Sequence, residues 1–468
     1  MEIARPRELF GKRLYGYSFG DFGIILTNIF INTFIFRFYV YTVNLDSVLV
    51  SVGIAAQGIA GALSAIFFGV ITDNKKPGKL GKRRPFLLYG LPIWIFTSII
   101  IWLPPWKAPQ DNSIYWPTAL FLWVVLLTKT IAGSSINTSF LSMLPEQSQT
   151  SRNRKKIASI RTFLMIVASI IALMLPLIVE SILPEPGSSK WWEISGQLYL
   201  IYMPLIGIIF TILGVGTILV AFFAVDESFH RNNNKNNYRK KTVTETFRSM
   251  VVPAKDRNYF KYLLVGFFNG VSGKIFGLVI IPFLTYVLFF SGPDFYIYII
   301  VSAVSKISWF YLWKYILRRS HLMRTYSLAL ACIAIASYLE LIFLFTFIPN
   351  LVRVFLFIII LATILGAMYG FGLFRSPLIS AMIDEAAEKN VSKQNFNEAV
   401  SDISGAYFGL NTFSMAMGQS ISALLVGFIL TGVNEENPII LTLLIASAGI
   451  FYTLSYISLK RIKLRKEI

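Results

Sequence analysis

Twelve long apolar runs constrain the fold of this chain more than any other feature. They lie near residues 19–42, 48–72, 86–104, 116–144, 157–181, 197–225, 259–289, 294–317, 322–347, 351–382, 400–431 and 437–459. A helix needs about 20 mostly apolar residues to cross the hydrocarbon core of a bilayer. Lipid offers no partner to backbone N–H and C=O groups, so a spanning segment must close its own hydrogen bonds. The expectation is an all-α integral membrane protein with 12 transmembrane helices, multi-pass in the cell membrane. Charge content agrees: 14% of the residues are charged and 55% hydrophobic, against about 25% charged in a typical soluble protein.

The polar breaks between the runs organise the chain. Residues 226–258, "DESFHRNNNKNNYRKKTVTETFRSMVVPAKDRN", separate six runs from six. The expected domains are therefore an N-terminal six-helix bundle at 1–225, a cytoplasmic linker at 226–258 and a C-terminal six-helix bundle at 259–468. Basic residues fill the N-terminus, the gap 73–85, "EQSQTSRNRKK" at 146–156, the linker, "RRSHLMR" and the tail "KRIKLRKEI". The alternate connections carry Lys107, Lys190 and Arg353 as their cations. Lys and Arg concentrate in cytoplasmic loops, so both termini are expected in the cytoplasm, as an even number of spans requires. The connection "DEAAEKNVSKQNFNEAVSD" at 384–402 departs from this pattern in being net acidic. The N-terminus has no early apolar run of the kind a cleaved leader carries.

Several function classes drop out. A net charge of +19 suggests nucleic acid only if the cations form a stripe on one folded surface; here they sit between apolar runs, so no nucleic-acid partner is expected. The single cysteine, Cys332, allows no intrachain disulfide, and both histidines, His230 and His321, fall in polar connections. The apolar runs therefore lack ligands for haem, zinc or iron–sulfur groups, and no metal or cofactor is expected. No Ser/His, Cys/His or paired carboxylates occur at depth, which argues against an enzyme.

One gap has an internal pattern. In "GVITDNKKPGKLGKRRPFLLYG", Gly69 precedes Asp73 by four residues, and Gly81-Lys82-Arg83-Arg84-Pro85 follows. This resembles the G-x-x-x-D…G-[KR]-[KR] loop between the second and third helices of major facilitator transporters. More narrowly, "GKRRPFLLYG" resembles the glycoside–pentoside–hexuronide:cation symporter family of melibiose-type carriers. "YGYSFGDFG" at 15–23, "INTSFLSMLPEQSQTSRNRKKIASIRTF" at 136–163 and "SGAYFGLNTFS" at 404–414 resemble that family's first-helix, fourth-to-fifth-helix and eleventh-helix segments, with Ser404 where the family has a glutamate. The resemblance implies the major facilitator fold, alternating access and a midplane substrate site. It also implies a gate built from Gly69, Asp73, Arg83 and Arg84, to which Arg375, near the cytoplasmic end of its run, is added.

The coupling chemistry does not follow. The family's second-helix aspartate pair falls on Gly61 and Ala65 here. Its first-helix aspartate falls on Ile25, its fourth-helix aspartate on Asn137 and its eleventh-helix lysine near Met415. Arg161 does match the family's sugar-contacting arginine. The usual sodium or proton site is missing, so the carrier is expected to be a uniporter, an exchanger, or coupled through a lysine.

Buried charge supplies the remaining candidates. An ionisable residue inside a span is costly and is a functional candidate by default. Lys129, Lys274 and Lys306 lie within apolar runs, while Glu340 and Asp21 sit nearer the ends. Each lysine either snorkels or binds backbone carbonyls between helices, or joins a cationic cavity for an anionic solute. Asn28, Asn32, Gln57, Asn137, Asn269 and Asn411 could either bind sugar hydroxyls or join helices. Trp309 and Trp313 could stack a sugar ring or pack, and the small residues of "GIAGALSAIFFG" read as close helix packing. The expected function is secondary active or facilitative transport of a small polar solute (a sugar, glycoside or sugar acid) by a monomer, with sodium or proton coupling open. The alternatives are a lipid, lysolipid or organic-anion carrier of the same fold, and a non-transporting membrane sensor.

Overall fold

The structure is a computed structural model. It describes residues 8–463 apart from 76–77, 82, 149, 186, 188, 227–241, 243, 246–251, 346 and 391–395. Most of the expected linker and His230 therefore lie outside the described residues, as does Lys82. In chain order the helices are α1 (Gly11–Phe19), α2 (Phe22–Arg37), α3 (Ser47–Asn74), α4 (Arg84–Ile100), α5 (Trp116–Gln147), α6 (Ser151–Ile182) and α7 (Ile194–Ala224). Then come α8 (Arg257–Tyr286), α9 (Phe295–Leu317), α10 (Leu322–Leu339), α11 (Asn350–Asn390), α12 (Phe396–Ile429) and α13 (Pro438–Lys460). Among the described residues no strand forms; one antiparallel bridge joins Gly78 to Gly81.

Among the described residues eleven helical stretches are long and apolar enough to cross a membrane. In the first, Gly11–Thr42, α1 and α2 run on into a π-helical turn, Phe38–Thr42. The third expected run, 86–104, differs: α4 has 17 residues and stops at Ile100. At 1.5 Å per residue it reaches about 25 Å, short of the roughly 30 Å hydrocarbon core. Pro104 and Pro105 follow it, and proline disfavours helical geometry in the residue before it. Helix starts are set by local chemistry. The Asp256 carboxylate accepts from Asn258 N at 2.8 Å to open α8, and the Asn437 side chain accepts from Ile439 N at 3.0 Å to open α13.

The chain divides into two compact units. The first holds residues 1–45, 60–179 and 188–243; the second holds 46–59, 180–187 and 244–468. The opening half of α3 therefore groups with the second unit, although it lies in the expected N-terminal bundle by sequence. Its contacts show why. Ser47 Oγ donates to the Gly427 carbonyl at 3.0 Å, and Gly58 abuts the Ser420 side chain.

Small residues set the helix approaches in both units, as they must where lipid supplies no hydrophobic drive between helices. In the first unit Gly23 of α2 lies against the Gly214 backbone of α7, and Gly23 N donates to Thr217 Oγ1 at 3.2 Å. Phe30, Trp102 and Phe210 fill the space beside them, with Phe30 stacked on Trp102 at 4.4 Å. In the second unit Gly270 of α8 meets the Met415 backbone of α12. Ser422 Oγ ties the same pair by donating to the Val271 carbonyl at 3.0 Å.

Candidate functional site

In the first unit Lys129 is 2% exposed on α5, and its Nζ donates to Asn28 Oδ1 of α2 at 2.6 Å. Among the described residues no carboxylate pairs with it; the ion pair found there joins Arg161 and Asp21. An ammonium has three donors, so one satisfies Asn28 and two remain for an incoming acceptor. Asn32, one helical turn beyond Asn28, and Asn137 on α5 are both exposed, and neither joins the pair. On α3, Gly61 packs against Thr130, whose Cγ2 would lie 3.1 Å from an added Cβ. That is close helix packing, and it leaves little room for a carboxylate at this position.

Arg161 of α6 is tied to Asp21 at the start of α2. Its Nε lies 3.2 Å from Asp21 Oδ2, and Nη2 makes a closer contact with the same oxygen. The guanidinium sits 5.3 Å from the Phe140 ring centre, and Phe140 stacks on Tyr17 at 4.7 Å. Tyr17 OH in turn donates to the Phe140 carbonyl at 2.9 Å. The sequence reading placed Arg161 alone; the structure adds Asp21 as its fixed counter-charge. The signal was present in "YGYSFGDFG", whose aspartate belongs to the motif rather than to a plain interface.

The basic loop between α3 and α4 also uses its cations locally. Gly78 and Gly81 exchange backbone hydrogen bonds at 3.1 and 3.0 Å, and Gly81 has φ +91°, a backbone conformation that only glycine adopts readily. This turn delivers Arg83 to the end of α5, where it donates to the Ser142 carbonyl. Arg84 lies 4.2 Å above the Phe222 ring of α7. Gly69 sits on the last turns of α3, its carbonyl accepting from Thr72 Oγ1 at 3.0 Å. The Asp73 side chain lies outside the described residues.

In the second unit Lys306 of α9 is 1% exposed, with its Nζ 4.8 Å from the Tyr369 ring of α11. Lys274 of α8, Gln57 of α3 and Asn411 of α12 are half-buried. Gly266 of α8 allows the Asn411 side chain to approach, its Oδ1 lying 3.0 Å from an added Cβ. Arg375 of α11 lies among the tyrosines 326, 262 and 452, and contacts Met415 Sδ at 3.2 Å.

Three other candidates resolve as packing. Asn269 donates to Tyr326 OH at 3.1 Å and accepts from Ser455 Oγ at 3.1 Å, joining α8, α10 and α13. Trp309 and Trp313 seat on Gly366 and Gly370 of α11, and Trp313 Nε1 donates to the Gly366 carbonyl at 3.1 Å.

The structure also reveals two fully buried charges that the sequence reading passed over, Arg37 and Glu180. Arg37 donates to Ser189 Oγ at 2.6 Å and lies 5.0 Å from the Tyr41 ring centre. Both stand inside apolar runs, "FIFRFYV" and "LPLIVESIL", the same signal that marked the lysines. Among the described residues no three His, Cys, Asp or Glu side chains lie together as a metal site would require.

A family profile described as "MFS/sugar transport protein" matches residues 16–454. The chain belongs to the MFS/sugar transport family. Among curated relatives, this family member is 20% identical over 179 residues to an uncharacterised symporter of Synechocystis sp. and 26% identical over 199 residues to the uncharacterised symporter YjmB of Bacillus subtilis. Those matches take in 38% and 40% of this chain, and 33% and 40% of the relatives' lengths. Among solved structures, the nucleoside transporter NupG superposes with a TM-score of 0.62 at 13% identity, covering 97% of this chain and 100% of that one. The xylose transporter XylE from E. coli, in its inward open conformation, gives 0.62 at 13% identity over 98% and 95%. At such identity these likenesses establish the fold. Membership of the family, together with the eleven apolar helices, makes this a multi-pass membrane protein.

Proposed function

We propose that this transporter moves a small polar solute bearing an anionic group, a sugar acid or a related glycoside, by alternating access. The observation that carries this reading is the Lys129–Asn28 pair: a buried ammonium held by one neutral amide, with no carboxylate paired to it among the described residues. Burying such a charge is costly, and the attraction it exerts on an anion grows as the surroundings lose water. In the same unit Asn32, Asn137 and Arg161 are assigned to solute hydroxyls; Gln57, Lys274, Lys306 and Asn411 are the candidates of the second unit. Gly69, Asp73, Arg83, Arg84 and Arg375 are assigned to gating.

With α4 counted beside the eleven longer stretches, the chain has 12 spans and both termini in the cytoplasm. Its halves are 1–225 and 259–468, joined by 226–258. Transport runs in a monomer without the acidic cation site of melibiose-type carriers.

The test is thermal stabilisation of the purified protein by a panel of neutral sugars, sugar acids, organic anions and lysolipids, with and without sodium. A ligand at 100 times its Kd stabilises by about 2.7 kcal/mol. Sugar acids are expected to stabilise the parent and to lose that effect in Lys129→Gln. Equal loss for neutral and anionic ligands would overturn the assignment, and stabilisation by lysolipids alone would replace the solute class.

A further inference from the structure

A groove of about 1100 Å³, lined by none of the candidate solute residues, lies where α8 begins and α13 ends. Five cations line it, Arg257, Lys261, Lys460, Arg461 and Lys463, against one carboxylate, Asp256. That carboxylate is engaged, accepting from the backbone N–H groups of Asn258 and Tyr259 at 2.8 and 3.1 Å. The cations are held together by a strap. Lys261 Nζ donates to the Arg461 carbonyl at 2.6 Å, Asn258 Nδ2 donates to the Lys463 carbonyl at 2.6 Å, and Lys463 N returns to Asn258 Oδ1 at 3.4 Å. Like charges drawn together in this way repel one another, and an anion would relieve the repulsion.

The groove also has depth. Residues three and four apart share a helix face, and Arg257, Phe260, Lys261 and Leu264 all line it along α8. The charged end lies at the helix terminus. Phe260, 50% exposed, lies level with Lys261, and Leu264 continues the face about one turn further towards the centre of the span. Cationic groups at a span end above an apolar wall match a phosphodiester with an acyl chain below it. A free phosphate would use only the upper half. Basic pockets between transmembrane helices are known to hold acidic headgroups.

We infer that this groove binds an acidic phospholipid of the adjoining leaflet, its phosphate among Arg257, Lys261 and Arg461 and its chain along Phe260 and Leu264. The site is independent of the solute assignment, since it shares no residue with it.

Native mass spectrometry of the full chain in neutral detergent tests the inference, with phosphatidylglycerol, phosphatidylcholine and inorganic phosphate as separate probes. The parent is expected to retain one phosphatidylglycerol and no phosphatidylcholine. Arg257→Gln with Arg461→Gln should weaken that adduct roughly 30-fold, at about one charge's worth of surface attraction each. Lys314→Gln, which removes an exposed cation at the end of α9, should leave it unchanged. Should the double variant fail to purify, Lys463→Gln alone is expected to weaken binding about five-fold. The inference is overturned if phosphatidylcholine binds equally, if inorganic phosphate displaces the lipid at equal concentration, or if the groove variants bind as the parent does.

Discussion

Replacing Lys129 by methionine should cost this protein its solute while leaving it as stable as before, or more so. A charged lysine near the centre of a span is unfavourable by about 2.5–3.5 kcal/mol. The hydrogen bond to Asn28 at 2.6 Å returns about 1.5–3 kcal/mol, the range for a bond to a charged group. Methionine keeps the volume, removes the first term and forfeits the second, so Lys129→Met is expected to stabilise by about 0–2 kcal/mol. Asn28 is only half-buried, so its freed amide adds little cost. The reverse change behaves differently. Asn28→Ala removes the bond and leaves the ammonium without a partner, which should destabilise by about 2–3 kcal/mol. The double variant should return close to the parent, giving a coupling energy near 2 kcal/mol. Thermal unfolding of the four proteins in one detergent reads the signs, and binding of a sugar acid reads the functional loss. If Lys129→Met destabilises as much as Asn28→Ala, and the two effects simply add, the lysine is a structural strut and the reasoning fails.

Breaking the other charged contact should have the opposite signature. Asp21→Asn is expected to destabilise by about 3 kcal/mol, the low end for a buried pair because Arg161 keeps 19% exposure. Adding Arg161→Gln should recover part of that in the same unfolding assay, and a further loss would contradict an ion pair. Trp313→Ala should cost about 3–5 kcal/mol through the cavity left over Gly370, with no change in solute preference; altered preference would return the indole to the binding site. Stabilisation by solute should be the same in sodium and in choline, because Gly61, Ala65 and Ile25 stand where the related carriers have acids. A sodium requirement would show that a cation site had been built elsewhere.

Much of the fold was legible because the bilayer imposes a coarse rule that a single sequence displays. Among the described residues eleven of the expected runs are helices long enough to cross, and Gly61 packs closely against Thr130, as its small-residue segment suggests. The third run was misjudged in extent because Trp102 and Leu103 remain apolar after the helix has ended; hydropathy counts side chains, whereas the helix answers to Pro104. The site was legible in its members more than in its pairings. Lys129 and Asn28 were each visible as polar intruders, yet only the packing of α2 on α5 makes them partners. Arg37 and Glu180 carried the same signal and were missed. Asn269 and Trp313 could have been ligand groups by type, and their partners decide for packing: Tyr326 and Ser455 for one, the Gly366 carbonyl for the other.

The buried cations sort by the chemistry of their heads. Arginine has five fixed donors and a planar face, and Arg161 and Arg37 in the first unit are each occupied on several sides. Arg161 has Asp21 and Phe140, and Arg37 has Ser189 and the rings of Tyr41 and Tyr199. Such a head is expensive to release, because leaving it would strand a charge in a dry interior. Lysine is a compact point charge on a flexible stem, and Lys129 rests on a neutral amide. A neutral partner holds a cation in position without cancelling its charge. An arriving anion therefore gains nearly the full attraction, whereas at Arg161 it would first have to displace Asp21. On the proposed reading, that difference assigns the recognition of an anionic solute to Lys129 rather than to Arg161.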